Sequence, residues 1–355
     1  MKIEIADRLK PFSHTPGHEV MIPGTYWKAK VFPAALFLTD IIHNRKVEFS
    51  LSLKGPIDPF TVEEALEGRT LRVYGQAQQG YFRFILQRQE KKLILRFEKT
   101  PEGGIDLLDL LGKEKKIVVS GDELVLAEDL EEESFFSKER LFLGSSKQKD
   151  WDAIRVRKDL REILPLWFLS GLNSPAIESQ ANCTQLELIE QALLEKNPKK
   201  VYEIFLETYL THFSKGLVPR IQDEEFQGFS SHKESFKGTI HLLKQGAFLI
   251  RSLFFQEKEG EIHVLPLLSS EFVSGKMIQI ESEKGDLLDL EWTKHKLRRM
   301  YIEVKKDRSF QLQFPSEVQS FRLRRSLKEK GHIFLKNETF AAKAGDRLWL
   351  DLFQK

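Results

Sequence analysis

A single cysteine, Cys183, stands among 355 residues. One thiol closes no intrachain disulfide and builds no thiolate metal cluster. No apolar run approaches the roughly 20 residues that a bilayer-spanning helix requires. The opening MKIEIADRLKPF alternates charge with apolar residues, where a signal peptide carries a continuous apolar stretch. A cytoplasmic protein with no membrane partner is expected. Excess charge of one sign is also scarce: the formal net charge is +2, too small for a general attraction to nucleic acid. Internal repeats, low-complexity tracts and a Gly-x-Ser-x-Gly nucleophile elbow are absent, and no cofactor is expected.

What the chain does have is an ordinary globular mixture, 41% hydrophobic and 30% charged. Phenylalanine is abundant, 27 against six tyrosines and five tryptophans, and a ring with no polar handle belongs in a core. Residues 1–135 read as strands. FSLSL (Phe49 to Leu53) alternates strictly, as do TLRVY and YFRFILQR. Gln-Glu-Lys-Lys between YFRFILQR and LILRF predicts a hairpin, and IVVS-GD-ELVLA predicts another around Gly121-Asp122.

Residues 136–260 change to a helical period. Asp150 can cap a helix carrying Trp151, Ile154, Ile163, Leu164 and Trp167, which Pro165 should kink or end. Thr184 to Glu187 has capping-box spacing, and Asn197-Pro198 can stop one helix and start the next. The helix after Pro198 is apolar on more than one side, and a last helix covers Gly238 to Phe255. That makes about four helices. From residue 261 to 355 the period returns to two. The predicted class is α+β, mainly β: two antiparallel β-sandwich-like domains separated by a small helical region.

The passage between helix and second β region is GEIHVLPLLSSEFVSGK, Gly260 to Lys276. Leu265-Pro266 follows a charged loop; then come Phe272-Val-Ser-Gly275, Gly285 and Asp289-Leu-Glu-Trp292. This run resembles the start of the C-terminal β-domain of glycoside hydrolase family 95, α-L-fucosidases built on an (α/α)6 barrel. Phe272 stands where that family has Trp, and Lys284 where it has the first glycine of a pair. The resemblance implies positive-φ turns at the glycines and an inward-facing Trp292. It covers about residues 250–292 and implies a glycosidase whose catalytic barrel is mostly missing, so no catalytic residue is carried over.

Several clusters invite a chemical reading. Asp150-Trp151-Asp152 suits sugar binding, two acceptors beside an indole; as structure, Asp150 caps, Asp152 complements the helix dipole and Trp151 is core, and this second reading is preferred. Glu203 and Glu207 lie one helical turn apart, but a glycosidase sets its two carboxyls across a cleft, so a solvated face is preferred. His14 and His18, with His43 or Glu19 as a third ligand, are split by Thr-Pro-Gly, and no metal site is predicted. Gly144-Ser-Ser-Lys147 is a fragment of a phosphate loop without its upstream glycine. Arg322 and Arg324 share a strand face as a basic stripe, read as a solvated face and not a nucleic-acid surface.

The favoured function is a non-catalytic, glycosidase-derived protein that binds carbohydrate or a protein partner, with Asp150, Trp151 and Asp152 as candidate ligand contacts. The alternatives are a minimal glycoside hydrolase recruiting Asp150, Asp152, Glu203 or Glu207, and an assembly protein with no small-molecule ligand. The short connection from the last helix into the second β region predicts one shared core.

Overall fold

The computed structural model describes residues 3–128, 130, 137–174, 184–213, 216–218 and 236–354. Cys183 and most of the acidic 128–134 run lie outside them. The chain is α+β and mainly β, as expected.

The N-terminal unit is a sandwich of two six-stranded sheets. One runs in the order Phe12–Ser13, Phe60–Ala65, Thr70–Ala77, Gly80–Gln89, Lys92–Lys99, Glu123–Ala127. The other runs Lys115–Val118, Ile105–Asp109, Lys46–Leu51, Ala35–Asp40, Trp27–Phe32, His18–Met21. Alternation decides the faces: Phe49, Leu51 and Leu53 are buried with Leu71, Val73, Phe84 and Phe97 in one core between the sheets. The hairpin joining Gly80–Gln89 to Lys92–Lys99 forms as expected, with Glu90 at positive φ in its turn.

The second expected hairpin does not form. Lys115–Val118 pairs with Ile105–Asp109, whereas Glu123–Ala127 pairs with Lys92–Lys99 in the opposite sheet. Gly121, at φ 100°, carries the chain between sheets, its N–H donating to the Phe97 carbonyl. A period of two fixes which way a side chain points but not which strand lies alongside.

Five helices follow among the described residues: α1 (Trp151–Arg157), α2 (Leu160–Leu172), α3 (Thr184–Leu194), α4 (Pro198–His212) and α5 (Phe236–Phe254). The single helix expected from Asp150 to Trp167 is two, which raises the count above four. Asp150 caps α1; Lys158 then turns left-handed, and Asp159 caps α2 through the Arg161 N–H. Pro165 does not end α2. It forfeits one backbone hydrogen bond, but it sits in an unbroken buried run from Ile163 to Leu169 that holds the helix in place. Thr184 is the first helical residue of α3 and not its cap. Asn197 caps α4 by accepting from the Lys200 N–H, with Pro198 in the first turn.

The helices share one core with the C-terminal strands. A seven-stranded antiparallel sheet runs Arg140–Phe142, Ser274–Glu281, Leu287–Thr293, Lys296–Glu303, Arg347–Gln354, Ser320–Arg324, His332–Leu335. A four-stranded sheet runs Phe255–Lys258, Glu261–Val264, Arg308–Gln313, Phe340–Ala342, and its central pair is parallel. The Leu265–Pro266 run has a physical task at this junction. The Leu265 and Leu267 N–H groups donate to the Phe254 and Leu253 carbonyls, which α5 leaves without helical donors. The returning chain therefore closes the end of the helix.

Gly285 occupies a turn at φ 84°, as expected. Gly275 does not: it lies within a strand, and a Cβ there would stand 2.2 Å from Cζ2 of Trp292. Its role is to admit the indole, whose Nε1–H donates to the Phe272 carbonyl.

Candidate functional site

The sandwich docks on the helices through a polar seam, and the Asp150-Trp151-Asp152 cluster is part of it. Asp150 Oδ1 accepts from the Asp152 N–H, and a parallel bridge joins Asp150 to Phe12. Asp152 Oδ2 accepts from the Thr15 hydroxyl at 3.0 Å. Trp151 is buried, its Nε1–H directed at Glu64 Oε1 across 3.4 Å. The Trp151 and Asp152 side chains are used in docking the two units, whereas the Asp150 side chain caps α1 and only its backbone bridges to Phe12. Glu203 and Glu207 lie on the exposed side of α4, with Glu203 4.0 Å from Lys199. The structure does not gather these four carboxylates around a cleft.

Glu64 is the ionisable group that sequence reading missed. Burial pushes its carboxyl up to about 8, with the Trp151 N–H pulling the other way. It lines a cavity of about 20 Å³ together with Thr25, Ser170 and Asn173. That is room for about one water, and it leaves no space for a substrate. No sequence signal marks Glu64: in FTVEEA its neighbour Glu63 pairs with Arg72 at the surface, and only docking against Trp151 buries the second glutamate.

The remaining motifs have structural partners. Ser145 of the Gly144–Lys147 fragment donates to buried Glu162, which also holds Arg157 Nε at 2.7 Å. His14 Nδ1 lies 3.0 Å from the Phe60 carbonyl, and His43 Nδ1 2.9 Å from Asp40. Arg322 and Arg324 share the one carboxylate of Asp351, which neutralises half of the basic stripe.

The ligand-sized cavity is elsewhere. An open groove of about 1000 Å³ lies between α3, α5 and the four-stranded sheet. Its sheet wall follows from register: Gln256 lies opposite His263, and His263 opposite Gln313, so the three form one row across three strands. Their neighbours Phe255, Ile262, Val264 and Leu312 point the other way into the core. Glu261 accepts from the side-chain amides of Gln311 and Gln313, which orients that wall. The facing wall carries Leu193 and Leu194 at the end of α3 and Phe248 on α5, together with the polar Glu190 and Ser252 of the same helices. Residues Leu265–Leu268, the run that closes α5, also line it. Arg251 is fixed beside it, bonded to Glu139 and stacked 4.7 Å from the Phe255 ring centroid. The sequence signal for this site was alternation in EIHV and FQLQF, but only strand pairing makes one row of it.

No family model matches the chain, and no curated protein matches it in sequence. No helix among the described residues is long and apolar enough to cross a membrane.

Proposed function

We propose that the chain is a non-catalytic, cytoplasmic carbohydrate-binding protein related to the end domains of family 95 glycosidases, with the groove as its site. The supporting observation is the pairing of an amide and imidazole row, Gln256–His263–Gln313, with a wall that carries Leu193, Leu194 and Phe248. Sugar hydroxyls donate and accept, as glutamine side chains and neutral imidazole do, while sugar C–H faces pack on aliphatic and aromatic carbon. The volume is at the upper end of ordinary ligand clefts, about 300–1,000 Å³, which suits an oligosaccharide. The segment that carries the family resemblance contributes Leu265–Leu268 to the same groove. Glu257, one of three lining carboxylates with Glu190 and Glu317, is engaged by the Glu283 N–H and by Arg308 and is not free to serve as acid or base. One cysteine in the whole chain suits a reducing compartment.

A glycan array probed with the full chain tests the reading. A hit whose affinity falls at least tenfold in Gln256→Ala/Gln313→Ala supports it. An array without hits, or a hit indifferent to that variant, overturns it. Leu194 and Phe248, 80% and 45% exposed at the rim, favour a second reading in which a protein partner docks across the groove. Array hits that Leu194→Ser/Phe248→Ser leaves unchanged count against it.

A further inference from the structure

A second site lies on the outer face of the seven-stranded sheet. Tyr301, Trp349 and Arg324 stand directly opposite one another on three adjacent strands. Their chain neighbours Met300, Ile302, Leu348, Leu350 and Leu323 are buried on the inner face. The Tyr301 and Trp349 ring centroids are 5.5 Å apart. Trp349 differs from the other four tryptophans, which are all fully buried, in being partly exposed.

Two donors in this row are unsatisfied. The Trp349 Nε1–H and the Arg324 Nε–H are buried as atoms and find no acceptor among the described residues. Both residues line a cavity of about 80 Å³, closed by Ile3, Leu327 and Arg299. A buried N–H without an acceptor is costly, and a bound acceptor relieves that cost. The surrounding charge selects its kind. Asp351 binds Arg322 and Arg324, and Glu291 binds Arg299 and Lys276, so four cations face two carboxylates. The excess is positive, which suits an anion, while Asp351 on the cavity lining repels a second negative charge and disfavours a dianion.

We infer that this cavity binds the carboxylate of a small organic acid, its two oxygens accepting from Trp349 and Arg324 and its carbon skeleton lying against the Trp349 ring. Planar bidentate acceptance is what a carboxylate offers and a neutral hydroxyl does not. The site shares no lining residue with the groove and does not depend on the carbohydrate reading.

The experiment titrates acetate, glucuronate, glucose and inorganic sulfate into the full chain by calorimetry and tryptophan emission. Trp349 is the partly exposed indole, so occupancy should blue-shift or quench the red side of the emission. Acetate and glucuronate should bind saturably, glucose and sulfate should not, and a preference for glucuronate over acetate would identify an acidic sugar as the source of the carboxylate. Trp349→Phe keeps the ring and removes the N–H; Arg324→Lys keeps the charge and removes the Nε donor. Each should weaken binding at least tenfold with near-ultraviolet circular dichroism retained in Arg324→Lys. No saturable binding of either carboxylate, sulfate binding as tightly as acetate, or affinities unchanged in both variants would overturn the assignment.

Discussion

Phe254 stacks on Trp292, ring centroids 5.2 Å apart and planes 20° apart, both side chains fully buried. The contact joins the last residue of α5 to the strand Leu287–Thr293, so the helical and C-terminal parts are held by one core. Phe254→Ala should cost about 3–5 kcal/mol, the range for emptying an aromatic core site. Hydrogen exchange should show α5 and the C-terminal sheets losing protection together. A C-terminal sheet that melts separately at its wild-type temperature would contradict the shared core.

Gly275→Ala should be worse than Gly285→Ala although both replace a glycine near the same strand. At Gly275 an added Cβ meets the Trp292 ring at 2.2 Å and the Phe142 carbonyl at 2.6 Å. Neither can withdraw cheaply, and overpacking of this kind costs roughly 1–3 kcal/mol or more. At Gly285 nothing lies within 4 Å, so only its φ of 84° penalises alanine, by about 1–2 kcal/mol. Thermal melts of the two variants decide the order.

The Glu64 carboxyl predicts a pH-dependent seam. Its folded pKa is about 8 against an ordinary value of 4.5, so the folded state holds a proton that the unfolded chain gives up. Stability from this group is full below pH 4.5 and is lost as pH rises to about 8, at up to about 1.4 kcal/mol per pH unit. Glu64→Gln keeps an acceptor for the Trp151 N–H and cannot ionise. Urea denaturation should show the variant more stable than wild type at pH 8, with a flatter slope between pH 5 and about 8. Parallel pH profiles for the two proteins would refute the assignment.

Arg308 is almost fully buried between Asp286 at 3.0 Å and Glu257 at 3.5 Å. Arg308→Met leaves two buried carboxylates facing each other and should cost about 3–5 kcal/mol. Adding Asp286→Asn should restore part of that loss, because one of the stranded charges is gone. A double-mutant cycle measures the coupling; strict additivity would show that the ion cluster contributes nothing specific.

Much of the fold was legible in the residues. Strict alternation placed Phe49, Leu51 and Leu53 in the sandwich core, and Asp150 and Asn197 announced their helix starts. The helix break at Lys158 was not legible, because a left-handed lysine leaves no compositional mark while Pro165, which does, proved harmless inside a buried helix. The candidate sites were legible only as parts. Asp150-Trp151-Asp152 looked like a ligand cluster because carboxylates beside an indole serve docking and sugar binding equally well; Thr15, Phe12 and Glu64, over 80 residues away in sequence, decide which.

From the residues alone follow the period of each segment, most of the core-facing positions and the absence of an intrachain disulfide. These are local properties, set by backbone sterics and by the free energy of keeping apolar surface from water. Tertiary structure alone decided which strands pair, and therefore which polar residues stand together. Gln256, His263 and Gln313 form a row only because an antiparallel and a parallel pairing share one strand. Tyr301, Trp349 and Arg324 meet only because Arg347–Gln354 lies between two strands that precede it in the chain. Alternation is blind to neighbours: it orients a side chain toward a face, and the face acquires its chemistry only when distant strands are laid side by side.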